Sequence, residues 1–225
     1  MTAPGPAGSA ASGGTAPQFD PSFRAALRDL FVWRRDVRRF RPDPLPEGKI
    51  EELLDLACLA PSVGLSEPWR FVIVADIERR KAVRDCFESC NADALRAQAT
   101  DKAGLYARLK LAGLDDAPCQ LAVFADMATA QGHGLGRRTM PEMLEYSAVT
   151  AIHTLWLAAR AEGVGVGWVS ILDPQCIGSI LSVPEGWKLI GYLCIGYPGE
   201  DCERPTLEAQ GWEQRRQPSA AILRR

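Results

Sequence analysis

The sequence predicts an α+β domain, a mixed β-sheet covered by helices. Four short apolar runs (69–75, 119–125, 163–172 and 188–195) are rich in Val, Ile, Leu and Phe and are separated by helical stretches. One of those stretches, 141–162, is apolar around nearly its whole circumference and must therefore be buried. The order is helix, helix, strand, helices, strand, long helix, strand, helix, strand and an extended tail, which fits helices packed on a mixed sheet.

Asp20-Pro21 reads as an N-cap and first-turn proline. Phe23, Leu27, Leu30 and Phe31 recur at helical spacing, so this helix should pack one face and end near Arg34. Prolines 42, 44 and 46 exclude helix there. A second helix is expected from about Glu47, with Ile50, Leu53, Leu54 and Ala57 inward, stopping before Pro61. Residues 69–75 should be a buried strand. Two helices with a joint near Thr100 are expected over 78–116, followed by a strand at 119–125. The run 131–136 is a glycine-rich loop too irregular for a dinucleotide fingerprint. Asp173-Pro174 starts another helix that ends before Pro184, and the last strand closes on Gly196-Tyr197-Pro198-Gly199.

Length and composition bound the rest. At 225 residues and 47% hydrophobic, the chain can bury one core. Residues 1–18 are a tail of small residues, 19–217 one domain with a C-terminal extension expected to pack on a partner subunit, and 218–225 a flexible tail. A net charge of −2 argues against nucleic-acid binding through the overall field. The seven cysteines are scattered without a CxxC, and there are two histidines, so no metal site is expected. Cys58, Cys119 and Cys194 lie in apolar segments and read as small hydrophobes. The cytoplasm is the expected compartment, and no apolar run reaches membrane-spanning length.

Two stretches carry the chemistry. Arg34-Arg35-Asp36-Val37-Arg38-Arg39-Phe40 crowds four arginines around one carboxylate at a helix end, and arginine's planar fork suits a phosphate monoester. Ala60-Pro61-Ser62-Val63-Gly64 is a small-residue turn that lets the backbone approach a flat ligand. Together they suggest a ligand with a phosphate at one end and a ring system at the other. On the residues alone, a solvated basic helix end and an ordinary loop also fit.

The arginine cluster, the Ala-Pro-Ser turn with Pro68-Trp69 after it, the long apolar helix, Gly163-Val164-Gly165-Val166-Gly167-Trp168 and Gly196-Tyr197-Pro198 follow one another as in the nitroreductase-like flavoprotein superfamily, which the chain resembles over about 24–212. Within it, Arg34-Arg35-Asp36-Val37-Arg38 and the block 158–170 ending in Ser170 are most similar to the branch that fragments reduced FMN to 5,6-dimethylbenzimidazole. The resemblance implies a domain-exchanged homodimer in which reduced FMN and O2 are substrates, with erythrose 4-phosphate as the second product; a separate flavin reductase is a possible partner. It implies FMN contacts from Arg34, Arg35, Asp36, Val37, Arg38, Ser62, Val63, Gly64, Leu111, Ser170 and Arg204, with Asp36 and Ser170 catalytic. Asp36, held among arginines, is expected to stay ionised and either take a proton from the ribityl carbon or orient the ribityl hydroxyls; without the resemblance, the simpler reading is a counter-ion that neutralises the arginines. The alternatives are an NAD(P)H-dependent flavin reductase of the nitroreductase type and a non-enzymatic FMN-binding protein.

Overall fold

Four strands form one sheet in the order β1-β2-β4-β3: β1 (Trp69–Ile73), β2 (Cys119–Asp126), β3 (Gly165–Val169) and β4 (Trp187–Gly196). The computed structural model describes residues 16–96 and 112–225. All three strand pairs are antiparallel, with a register shift between Val123 and Phe124 in the β2–β4 pair. The parallel component of the expected mixed sheet is a single bridge, Asp36 with Val166, on the outer edge of β3.

Helices cover both faces, and the two-residue period of the central strands sorts their side chains between them. Leu121 and Val123 of β2 join Leu193 and Ile195 of β4 in a core with α2 (Lys49–Ala57) and α5 (Met143–Ala161). Ala122 and Phe124, with Tyr192 and Cys194, face α3 (Ile77–Arg96) and α6 (Pro174–Leu181). The second face also buries polar groups that satisfy one another: Tyr192 donates to Gln120 Oε1 (2.6 Å), and Gln120 Nε2 donates to Leu114 O (2.9 Å) in the short α4 (Gly113–Asp116).

The helix starts follow their caps. Asp20 accepts from Phe23 N (2.7 Å) at the head of α1 (Pro21–Trp33), and Asp173 accepts from Gln175 N (2.8 Å) and Cys176 N (3.1 Å) at the head of α6. Three expectations are corrected. The apolar face of α1 stays largely uncovered within the chain, with Phe23 and Phe31 about half exposed. β1 is an edge strand, shorter than expected, and its Ile73 is 43% exposed. Cys58, at the end of α2, is exposed, whereas burial pushes the thiols of Cys119 and Cys194 up to about 11 and about 12. Of the two helices expected over 78–116, the first is α3, and the joint near Thr100 lies outside the described residues. Among the described residues, no helix is long and apolar enough to cross a membrane.

The C-terminal extension makes contacts with its own chain. Arg160 pairs with Asp201 (2.7 Å), Arg35 donates to Glu203 O, and α7 (Thr206–Ala209) follows.

Candidate functional site

The end of α1 sets up the site. Arg34 N still bonds Leu30 O (2.9 Å), but Arg34 itself is extended, so the chain leaves the helix as a strand. It then runs along β3: Val37 N donates to Val166 O (3.0 Å), and Asp36 Oδ1 accepts from Trp168 N (2.9 Å). Glycine permits this approach. A Cβ at 165 would sit 2.8 Å from Val37 Cγ2, and one at 167 would run into Val37 O. Trp156, from α5, anchors the segment from the other side by donating its indole N–H to Arg35 O (3.0 Å).

The arginines gather around the aspartate in unequal ways. Arg38 Nε is 3.8 Å from Asp36 Oδ2, and the Arg34 guanidinium lies over the Trp156 ring at 5.0 Å. Arg35 turns its guanidinium to main-chain carbonyls, Arg34 O (2.6 Å) and Glu203 O, while its Nε is buried without a partner. Burial pushes the Arg34 and Arg35 guanidiniums down from their usual range, and the charge of Arg215 adds to this in both. Arg34, Arg35, Asp36, Arg38 and Arg215 line one cavity of about 120 Å³, roofed by Pro205, Thr206 and Leu207. A second, of about 300 Å³, adjoins it between Trp33, Trp156 and Val166.

Asp36 was expected to stay ionised because of its neighbours. Burial is the larger influence and raises its pKa above the ordinary carboxylate value, while the Trp168 N–H and the charges of Arg38 and Arg34 pull it back. A carboxylate held by fixed donors yet pushed toward protonation is suited to taking up a proton.

The other expected site residues are dispersed. In the turn, Val63 N donates to Ser147 Oγ (3.0 Å), Thr150 Oγ1 donates to Pro61 O (2.9 Å), and Ser62 Oγ accepts from Glu67 N (3.1 Å). Gly64 has φ +58°, and a Cβ there would lie 3.0 Å from Leu135 Cβ and O. Ser147 and Thr150 lie six to nine residues before Trp156 on α5, about 9–14 Å along the helix axis. The turn thus shares a helix with the arginine cluster, but Ser62, Val63 and Gly64 line neither of its cavities. Ser170 is exposed two residues beyond Trp168, just past the end of β3. Arg204 lines a separate cavity of about 540 Å³ with Arg28, Arg35 and Arg215. Leu111 lies outside the described residues.

Residues that sequence reasoning passed over as site members are Trp156, Trp168, Gly165, Gly167 and Arg215. The alternate glycines were the readable signal: a two-residue glycine period marks one strand face where another backbone passes.

The segment, its β3 partner and the closing Tyr197 all fall inside 31–197, the stretch that matches the model of the Nitroreductase family. The chain belongs to that family. A 5,6-dimethylbenzimidazole synthase of Rhodospirillum rubrum is 59% identical over 202 residues, 90% of this chain and 96% of that protein. One from Rhodobacter capsulatus is 46% identical over 87% of this chain and 95% of its own length. Among solved structures, an iodotyrosine deiodinase bound to FMN and 3-iodo-L-tyrosine superposes with a TM-score of 0.69 at 25% identity, covering 88% of this chain and 97% of that one. The family's flavin fits the residues present: Arg34, Arg35, Arg38 and Arg215 line one cavity beside the Asp36 carboxylate, and planar guanidiniums suit a phosphate monoester.

Proposed function

We propose that this protein is a 5,6-dimethylbenzimidazole synthase that binds reduced FMN and, with O2, fragments it to 5,6-dimethylbenzimidazole and erythrose 4-phosphate. The observation that carries this reading is Asp36, a carboxylate fixed by the Trp168 N–H inside an arginine-lined cavity. The similarity to two synthases across nearly their whole lengths supports it. A protein that merely carries electrons through its flavin needs the phosphate clamp but has no use for a base beside it.

In this reading Arg34 and Arg38 hold the phosphate, Asp36 takes the proton from the ribityl carbon, and Val37 packs beneath it against Gly165. Ser170 would hydrogen-bond the flavin ring, and Ser62, Val63 and Gly64 would line its edge. Replacing Arg34 or Arg38 with Ala should weaken FMN binding by about 1.5–3 kcal/mol, the scale of a hydrogen bond to a charged group. A fluorescence titration checks this, and unchanged affinity in both variants would place the phosphate elsewhere.

The chain is proposed to work as a homodimer with two flavin sites at the interface. On α5, Tyr146 and Val149 are 50% and 39% exposed and lie on one stripe with exposed His153. With the uncovered Phe23 and Phe31 of α1, they form the kind of apolar surface a second copy would cover. A second copy could also bring its turn at 62–64 to a flavin that the turn of the same chain does not reach.

The reading is tested by a flavin balance. After FMNH2 and air are supplied, total flavin should fall as the ring is destroyed, whereas a flavin reductase would return all of it as oxidised FMN.

A further inference from the structure

The end of the chain is built to return to the arginine cluster. Pro205, Thr206 and Leu207 roof the 120 Å³ cavity, and Arg35 fastens this stretch through Glu203 O. After the single turn of α7, Gly211 adopts φ +77°, Gly211 N bonds Glu208 O (3.1 Å) and Trp212 N bonds Leu207 O (2.8 Å). This reversal, which a left-handed glycine allows at low cost, sends the chain back so that Arg215 faces the cavity it has just covered.

The charged lining of that cavity is then four guanidiniums, of Arg34, Arg35, Arg38 and Arg215, against the one carboxylate of Asp36. Cations confined this closely repel one another, and the repulsion grows where water is excluded. Arg35 already spends its fork on two carbonyls. A doubly charged anion seated among the guanidiniums would offset the excess and accept charge-assisted hydrogen bonds from their forks.

We propose that Arg215 is a strap-borne ligand of the flavin phosphate, so that residues 203–215 both select the phosphorylated flavin over riboflavin and retain it once bound. The inference rests on the flavin reading above. In this arrangement the phosphate enters while the strap is away from the cavity, and the returning Arg215 completes its ligand set. Riboflavin has the same ring and ribityl chain but gives the strap nothing to grip.

The test compares FMN and riboflavin binding to the wild-type chain, Arg215→Ala and Arg215→Glu by fluorescence titration. Arg215→Ala should weaken FMN binding about ten-fold or more, and Arg215→Glu further, with riboflavin affinity unchanged in both. Arg215 is exposed at the rim, so neither change disturbs the core. Wild-type FMN affinity in Arg215→Ala, or an equal loss for both flavins, overturns the proposal while leaving the flavin reading intact. A wild-type chain that binds neither flavin overturns the flavin reading itself, and the role of Arg215 with it.

Discussion

Asp36→Asn should bind FMNH2 and consume O2 but return oxidised FMN and peroxide in place of 5,6-dimethylbenzimidazole. The substitution keeps the side chain's shape and lets an amide oxygen take the Trp168 N–H bond (2.9 Å), while removing charge and basicity. Loss of a general base costs about 10²–10⁴ in rate, so product should fall to near background. The Ser170→Gly variant should lose less, because it removes a positioning hydrogen bond and leaves the base. The pH dependence follows from the same group. Burial raises the Asp36 pKa, so the base form, and with it product formation, is lost on acidification at a pH above that of an ordinary carboxylate. The linkage has the opposite sense for stability. A carboxyl with a raised folded pKa contributes stability below its unfolded value, and that contribution is lost as pH rises through the folded value. Above its folded pKa the ionised Asp36 therefore costs stability, and there Asp36→Asn should melt no lower than the wild-type chain. Product formed by Asp36→Asn at the wild-type rate would reduce Asp36 to a counter-ion for Arg34 and Arg38.

Gly167→Ala should dismantle the site from beneath. The added methyl would run into Val37 O, a backbone atom that can give way only if the segment lifts off β3. That would stretch the Val37 N–Val166 O bond (3.0 Å) and the Trp168 N–Asp36 bond together. Overpacking of this kind costs about 1–3 kcal/mol, a fall in Tm of about 2–4 °C per kcal/mol for a chain of this size. FMN affinity should fall with it, because Arg34 and Arg38 lose their footing. Gly163→Ala is the control. Its φ of +73° makes alanine strained there, but a Cβ meets nothing within 4 Å, so stability should drop by about 1–2 kcal/mol with flavin binding retained. Thermal melts and flavin titrations of the two variants separate these cases. Gly167→Ala binding FMN like the wild-type chain would mean that the segment's contact with β3 does not hold the site.

The features legible in the sequence were those with a local cause. Asp20-Pro21 and Asp173-Pro174 cap their helices as read, because a cap depends on three or four neighbouring residues. The run 119–125 is buried almost throughout, as its apolar residues require. β1 has the same composition but lies at the sheet edge, and strand order is a tertiary property that the run itself does not encode. In the site, the cluster 34–38 was visible because five consecutive residues carry it. The indole of Trp156 and the amide of Trp168 come to that cluster from more than 110 positions away, and neither announces itself in a local pattern. Arg215 was not singled out in the sequence, since its place at the cavity depends on the reversal at Gly211. The 62–64 turn was read as a flat-ligand site from its small residues and Ser170 from resemblance, but neither reading could tell that the turn lines neither cavity of the arginine cluster within one chain.

The most direct measurement gives the protein FMNH2 labelled with ¹³C at the ribityl C1′, admits air, and weighs the products by mass spectrometry. The account predicts 5,6-dimethylbenzimidazole heavier by one mass unit, the label residing at its C2, together with unlabelled erythrose 4-phosphate. Quantitative recovery of labelled, oxidised FMN and no dimethylbenzimidazole would contradict it.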